Sequence, residues 1–136
     1  MLTLALPGRI FVCTQPADMR KSFDGLAALV QQHLGCDPLS GDLFVFRSKR
    51  GDRVKLLYWN DDGYALWYKR LEKGAFPWPA ADGTRTPIGT HGLTLRPAEL
   101  AMLLDGIELN DVRRRQRYQR PTPVASSSAA SSSAAS

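Results

Sequence analysis

The sequence predicts an α+β domain: a single antiparallel sheet built as a meander, two helices packed against one side of it, and a disordered C-terminal tail. Three observations carry this. Strand-like runs follow one another between Leu43 and Leu71, separated only by short polar turns. Two amphipathic stretches flank those runs, each ending at a glycine. From Pro121 the chain reads PTPVASSSAASSSAAS, with no charge, no aromatic and no periodicity, so it cannot bury enough apolar area to offset its ordering entropy. The 136 residues therefore divide into a domain over 1–112 and a basic, then Ser/Ala-rich, tail over 113–136. With 43% hydrophobic residues, the domain has enough apolar material for one core.

Arg9 to Thr14 follows Pro7-Gly8 and is β-rich, which predicts a first strand. Asp18 opens a helix whose Met19, Phe23, Leu26, Ala27, Val30 and Leu34 fall on one stripe, with Gly35 as its stop. Gly25 inside it costs about 1 kcal/mol against alanine. Asp37-Pro38-Leu39-Ser40-Gly41 is turn chemistry. Leu43 to Phe46 is continuously apolar, as in a strand covered on both faces. Ser48 to Asp52 forms a loop in which Gly51 takes positive φ. Val54 to Trp59 alternates Val54, Leu56 and Tyr58 against Lys55, Leu57 and Trp59. Asn60-Asp61-Asp62-Gly63 predicts a tight hairpin, with Asp62-Gly63 supplying the turn, and Tyr64 to Leu71 returns. Residues 75–92 read as an irregular loop around Phe76, Trp78 and Ile88. A short strand over 92–95 follows. A second helix then starts at Pro97, with Leu100, Ala101, Leu103 and Leu104 as its apolar face and Gly106 as its stop.

Function is most legible in the charge distribution. The formal net charge is +5, from 18 Lys and Arg against 13 Asp and Glu. Arg47, Lys49, Arg50, Arg53 and Lys55 crowd one hairpin, opposed by Asp52 alone; Arg113, Arg114, Arg115, Arg117 and Arg120 form a second cluster. Concentrated charge gives a directional field suited to a polyanion. The competing reading is a solvated hairpin tip and an exposed basic tail. Tyr58, Trp59, Tyr64, Trp67 and Tyr68 lie on adjoining strands, where core packing is the default; Trp59, on the Lys55 face, is the best candidate for an exposed platform. The candidate DNA-binding set is thus Arg47, Lys49, Arg50, Arg53, Lys55 and Trp59, with Arg113, Arg114, Arg115 and Arg117 as a flexible anchor.

No catalytic constellation stands out. His33 and His91 have no spaced nucleophile or ligand partner and read as structural. Ser22, Ser40 and Ser48 lie in no GxSxG elbow, and neither a phosphate-binding glycine loop nor a GxGxxG occurs. Asp61 and Asp62 precede glycine, where aspartate is expected for turn geometry alone, although paired carboxylates also suit Mg²⁺. Cys13 and Cys36 have no metal spacing; Cys13, in an apolar run, predicts a small buried residue. No cofactor or metal is predicted. No apolar run of about 18 residues exists and the N-terminus lacks signal-peptide features, so a cytoplasmic protein is expected.

Four segments add a likeness. Asp18-Met-Arg-Lys-Ser-Phe-Asp-Gly-Leu26, Asp37-Pro-Leu-Ser-Gly-Asp-Leu-Phe-Val-Phe-Arg47, Arg50-Gly-Asp-Arg-Val-Lys55 and Leu100-Ala-Met-Leu-Leu-Asp-Gly106 resemble the TnpB accessory protein, product of the second open reading frame, of the IS sixty-six group of bacterial insertion sequences. The likeness covers roughly residues 7–110 in order. It does not extend to the larger RNA-guided nuclease that shares the TnpB label. It implies a role in transposition beside a separately encoded transposase that carries the strand-transfer carboxylates. It brings no catalytic residues to this chain. Where the family commonly has Asp-Gly-Asp-Gly, this chain has Asn60-Asp61-Asp62-Gly63, which counts against a metal role for the turn.

The expectation is a non-catalytic accessory protein that binds DNA at element ends with weak sequence preference. Its protein partners would be the transposase and another accessory protein of the element. The alternative is an adaptor that docks the transposase through the aromatic hairpin or the Phe76–Trp78 loop without touching DNA. A metal-dependent nuclease using Asp61 and Asp62 is the distant third.

Overall fold

The computed structural model describes residues 8–80 and 83–106. The expected boundary at 112 and the tail beyond it lie outside the described residues. The described chain forms strands β1 (Ile10–Cys13), β2 (Leu43–Arg47), β3 (Arg53–Asn60), β4 (Gly63–Arg70), β5 (Pro87–Ile88) and β6 (Gly92–Leu95), with helices α1 (Phe23–Leu29) and α2 (Pro97–Leu104). The strands make one six-stranded sheet in the order β4-β3-β2-β1-β6-β5.

The expected meander holds for β2, β3 and β4, which pair antiparallel in sequence order. It fails at β1. That strand pairs parallel with β2, Phe11 opposite Phe44, and antiparallel with β6, Phe11 opposite Thr94. The sheet is therefore mixed, with one parallel pair. The crossover over residues 14–42 contains α1, as a parallel connection requires. β1 thus occupies the middle of the sheet, and all four of its residues are buried.

Strand alternation sorts the core into two layers. Ile10, Val12, Leu43, Val45, Val54 and Leu56 point to one face, where Leu93, Leu95, Phe76 and the α2 residues Leu100 and Leu103 cover them. Phe11, Cys13, Phe44, Phe46 and Leu57 point to the other, against Leu26, Val30 and Leu34. The helices therefore lie on opposite faces, not on one side. Each buried Phe or Leu removed from water contributes about 1.5–3 kcal/mol. Phe11 and Phe44 also stack across the parallel pair, ring centroids 6.0 Å apart.

The first helix starts later than the stripe suggests. Asp18 closes a local turn by accepting from the Arg20 backbone N–H at 2.9 Å, and the helix begins at Phe23. After Leu29 the helix continues as a π-helical turn, Val30–Leu34, and ends at Gly35 with φ 62°. Val30 and Leu34, at the two ends of this turn, are both fully buried. In α2, Pro97 occupies the first turn and the Glu99 carboxylate accepts from the Arg96 backbone N–H at 3.1 Å, closing the N-terminus. At the β3–β4 hairpin Asn60 pairs with Gly63, so Asp61-Asp62 forms the turn, with Asp61 at φ 55°. The left-handed position is Asp61, one of the few residue types that tolerate it. Cys13 and Cys36 are free thiols, Cys13 buried as its apolar run predicts.

Candidate nucleic-acid interface

The β2–β3 turn is built from its own backbone. Ser48 N–H donates to Arg53 O at 2.9 Å, Gly51 N–H donates to Ser48 O at 3.0 Å, and Gly51 sits at φ 84°. The Ser48 hydroxyl accepts from Arg53 N–H at 3.1 Å. The chain after β4 braces the turn from outside: Leu71 N–H donates to Asp52 O and Phe76 N–H to Gly51 O, both at 2.8 Å. Lys49 and Arg50 are thereby held exposed at the tip of a fixed turn, with Arg53 half-buried beside them.

This turn faces the segment between β1 and α1 across an open cleft of about 330 Å³. Lys49, Arg50 and Arg53 line one wall together with Asp52, and Asp18 and Arg20 line the other. Arg20 and Asp18 neutralise each other. Arg20 Nη2 lies 2.8 Å from Asp18 Oδ2, and Arg20 Nε donates to Oδ1 at 3.1 Å. These side-chain bonds, and then the Arg20 backbone N–H, hold the Asp18 carboxyl down at about 2. Among the described residues, no carboxylate forms an ion pair with Lys49, Arg50 or Arg53. Lys49, Arg50 and Arg53 therefore share one concave surface, in no ion pair and outnumbering the Asp52 carboxylate beside them.

The other two cations of the hairpin serve the fold. Arg47 is half-buried, donates from Nη1 to Phe76 O at 2.9 Å, and lies 5.0 Å over the Trp78 ring. Burial lowers its pKa. Trp78 in turn donates from Nε1 to Cys13 O at 3.1 Å, so this stack ties the 76–78 loop beneath the sheet. Lys55, at 6% exposure, is turned inward. Its ammonium donates to Met19 O and Lys21 O, both at 2.7 Å, and lies 4.7 Å from the Tyr68 ring centre. Lys55 thus lies off the open surface where its place in the sequence put it. The strand's alternation sends it toward the α1 face, where two carbonyls of the 19–21 segment replace water.

Trp59 does not join the cleft. At roughly 3.3 Å per residue it lies about 20 Å along β3 from Arg53. It packs edge-on against Tyr64, 5.2 Å between centroids, and Tyr64 stacks on the exposed Phe23 at 6.5 Å. Arg113, Arg114, Arg115 and Arg117 lie outside the described residues. Arg20 is the cleft cation that sequence reading passed over. Its signal was present in Asp18-Met19-Arg20-Lys21, read there as the start of a helix. Asp61 and Asp62 are exposed at the far hairpin, and among the described residues no group of three His, Cys, Asp or Glu side chains is placed to hold a metal ion.

The family model described as IS66 Orf2 like protein matches residues 8–114, which takes in every described strand and helix and the whole cleft. The chain belongs to the IS66 Orf2 like family. Two relatives from Sinorhizobium fredii (strain NBRC 101917 / NGR234) carry the likeness across nearly their full length. "Uncharacterized protein y4jC" is 42% identical over 117 residues, 86% of this chain and 93% of the relative. "Uncharacterized protein y4hO" is 40% identical over 116 residues, 85% of this chain and 92% of the relative. No solved structure matches the chain. Membership in the IS66 Orf2 like family points to an accessory role in transposition. No helix among the described residues is long and apolar enough to cross a membrane.

Proposed function

We propose that this IS66 Orf2 like protein is a non-catalytic accessory factor of insertion-sequence transposition that binds DNA through the cleft between the β2–β3 turn and the 18–20 segment. The supporting observation is the placement of Lys49, Arg50 and Arg53 on one open surface, in no ion pair among the described residues and in excess over the Asp52 carboxylate that shares it. The rigid turn matters as much as the charge. Phosphate contacts made from a braced backbone lose little loop entropy on binding. Arg113, Arg114, Arg115 and Arg117 add charge in the sequence beyond α2. Such contacts give affinity with little base readout, so element-end and random duplexes bind alike. Fluorescence anisotropy with both duplexes tests this. The reading is abandoned if neither duplex binds at low salt, or if Ala at positions 49, 50 and 53 leaves binding unchanged.

The Phe23–Tyr64–Trp59 cluster favours a second reading, an adaptor for the transposase. Phe23 packs on Tyr64 from a distant part of the chain and Trp59 meets Tyr64 across the hairpin, with Phe23 42% exposed, away from the basic cleft. Co-purification with the transposase in high salt plus nuclease separates the readings. A DNA-bridged pair falls apart, whereas an adaptor stays bound and loses its partner when Phe23 becomes Ser.

A further inference from the structure

The chain has two histidines, and the fold brings them together. Their ring centroids lie 5.0 Å apart with planes inclined at 57°. His33 comes from the π-helical turn after α1 and His91 from the residue before β6, so neither belongs to the basic cleft. Both are half-buried.

The backbone fixes this pair. His33 O accepts from both Thr90 N–H at 3.0 Å and His91 N–H at 2.9 Å. His91 O accepts from Thr14 N–H at 2.7 Å and from the Thr14 hydroxyl at 2.9 Å. The approach of the loop to the helix end depends on Gly89. It sits at φ 59°, and a Cβ there would lie 2.6 Å from His33 O and 2.5 Å from Leu34 C. A preorganised imidazole pair is thus built from two elements that meet only in the folded chain.

The spacing suits a shared ion. Two imidazoles on one tetrahedral metal, with metal–nitrogen bonds of about 2.0–2.1 Å, place their ring centres about 5 Å apart. The Gln15 amide nitrogen lies 3.4 Å from His91 Nδ1, and a half-turn of the amide exchanges that nitrogen for its oxygen. With its oxygen turned to that atom it accepts the Nδ1 proton and leaves Nε2 free to ligate, the support that metal-binding histidines use. Among the described residues no third His, Cys, Asp or Glu completes a cluster. Water would fill the remaining positions. Imidazole donors favour zinc, copper and nickel over magnesium.

We propose that His33 and His91 form a two-imidazole site for a borderline divalent transition ion, with Gln15 as its supporting residue. An ion there clamps the β5–β6 turn to the helix end. The site is independent of the DNA reading and survives its failure.

The test uses the full, untagged chain. Titration with Zn²⁺ by calorimetry should show one saturable equivalent, and Zn²⁺ should raise the melting temperature where Mg²⁺ does not. Imidazole resonances of both histidines should shift together in the NMR spectrum, a readout that needs no variant. Electron paramagnetic resonance of the Cu²⁺ form should show coupling to two nitrogens. His33→Gln or His91→Gln should abolish the melting shift, and Gln15→Ala should weaken affinity by about tenfold. No saturable binding at millimolar Zn²⁺, an equal response to Mg²⁺, or resonance shifts confined to one histidine would overturn the proposal. So would undiminished binding in either folded histidine variant.

Discussion

Lys55 donates to the Met19 carbonyl at 2.7 Å, joining the first half of β3 to the segment that forms the far wall of the basic cleft. The same ammonium holds Lys21 O at an equal distance. The cleft's shape thus depends on a buried lysine that does not line it. Lys55→Met keeps the stem but strands two carbonyls, at a cost of about 1–3 kcal/mol. Lys49→Ala and Arg50→Ala, at exposed positions, change stability by about 0.5 kcal/mol or less. Urea denaturation of the three variants measures this contrast. Equal midpoints for all three would mean that Lys55 is not a tether.

Asp18 gives a pH signature. Its folded carboxyl is depressed from 3.8 to about 2, chiefly by the Arg20 side chain. A depressed carboxylate contributes above its unfolded pKa and loses that contribution as pH falls through the folded value. The Asp18–Arg20 pair should therefore stay intact from neutral pH to about 4 and come apart between about 4 and 2. In Arg20→Ala the carboxyl should rise toward the ordinary aspartate range but stay below it, because the backbone N–H of residue 20 still donates to it. Carboxyl chemical shifts followed against pH report both values. Because the pair is exposed, its loss should leave thermal stability nearly unchanged.

Arg85 and Glu99 make a buried ion pair, 3.0 Å between Nη2 and Oε2, with side chains 2% and 6% exposed. Glu99→Ala strands the Arg85 charge and uncaps α2, so a loss of about 3–5 kcal/mol is expected. Arg85→Met combined with Glu99→Leu should recover much of that loss, since an apolar pair of similar volume removes the desolvation cost. Chemical denaturation of both variants decides. A single variant as stable as the wild type would contradict the account of this pair.

Gly89 allows the β5–β6 turn to touch the helix end. Gly89→Ala places a methyl group against His33 O and Leu34 C in a left-handed conformation. A destabilisation of about 1–3 kcal/mol is expected. The wild type should show a nuclear Overhauser effect between the two histidine rings, and the variant should lose it.

Much of the fold was legible because local chemistry and tertiary packing agree. The continuous apolar run of β2, the alternation and turns of β3 and β4, and positive-φ glycine at the stops Gly35 and Gly106 make these elements legible directly. The parallel β1–β2 pair was missed, although its signal was present: two fully apolar runs, 10–13 and 43–46, flank a helix in one crossover. Strand order is a non-local choice, and β6, short and glycine-led, gave no hint that it would flank β1. The π-helical turn escaped because the i, i+4 stripe is identical until the widening. Side-chain fate was harder still. Arg47 and Lys55 look like Arg53 in sequence. Only the 76–78 loop and the 19–21 carbonyls, both distant in the chain, decide that those two turn inward. The His33–His91 contact depends on the same kind of long-range closure.

The most direct test of the central claim is the salt dependence of duplex binding by the wild type and by the Lys49→Ala/Arg50→Ala/Arg53→Ala variant. Each phosphate contact contributes about 0.9 to the slope of log affinity against log salt. If the three cleft cations hold phosphates, the variant's slope should be shallower by about 3 while its fold remains intact. An unchanged slope in a folded variant would contradict the assignment of the cleft to DNA.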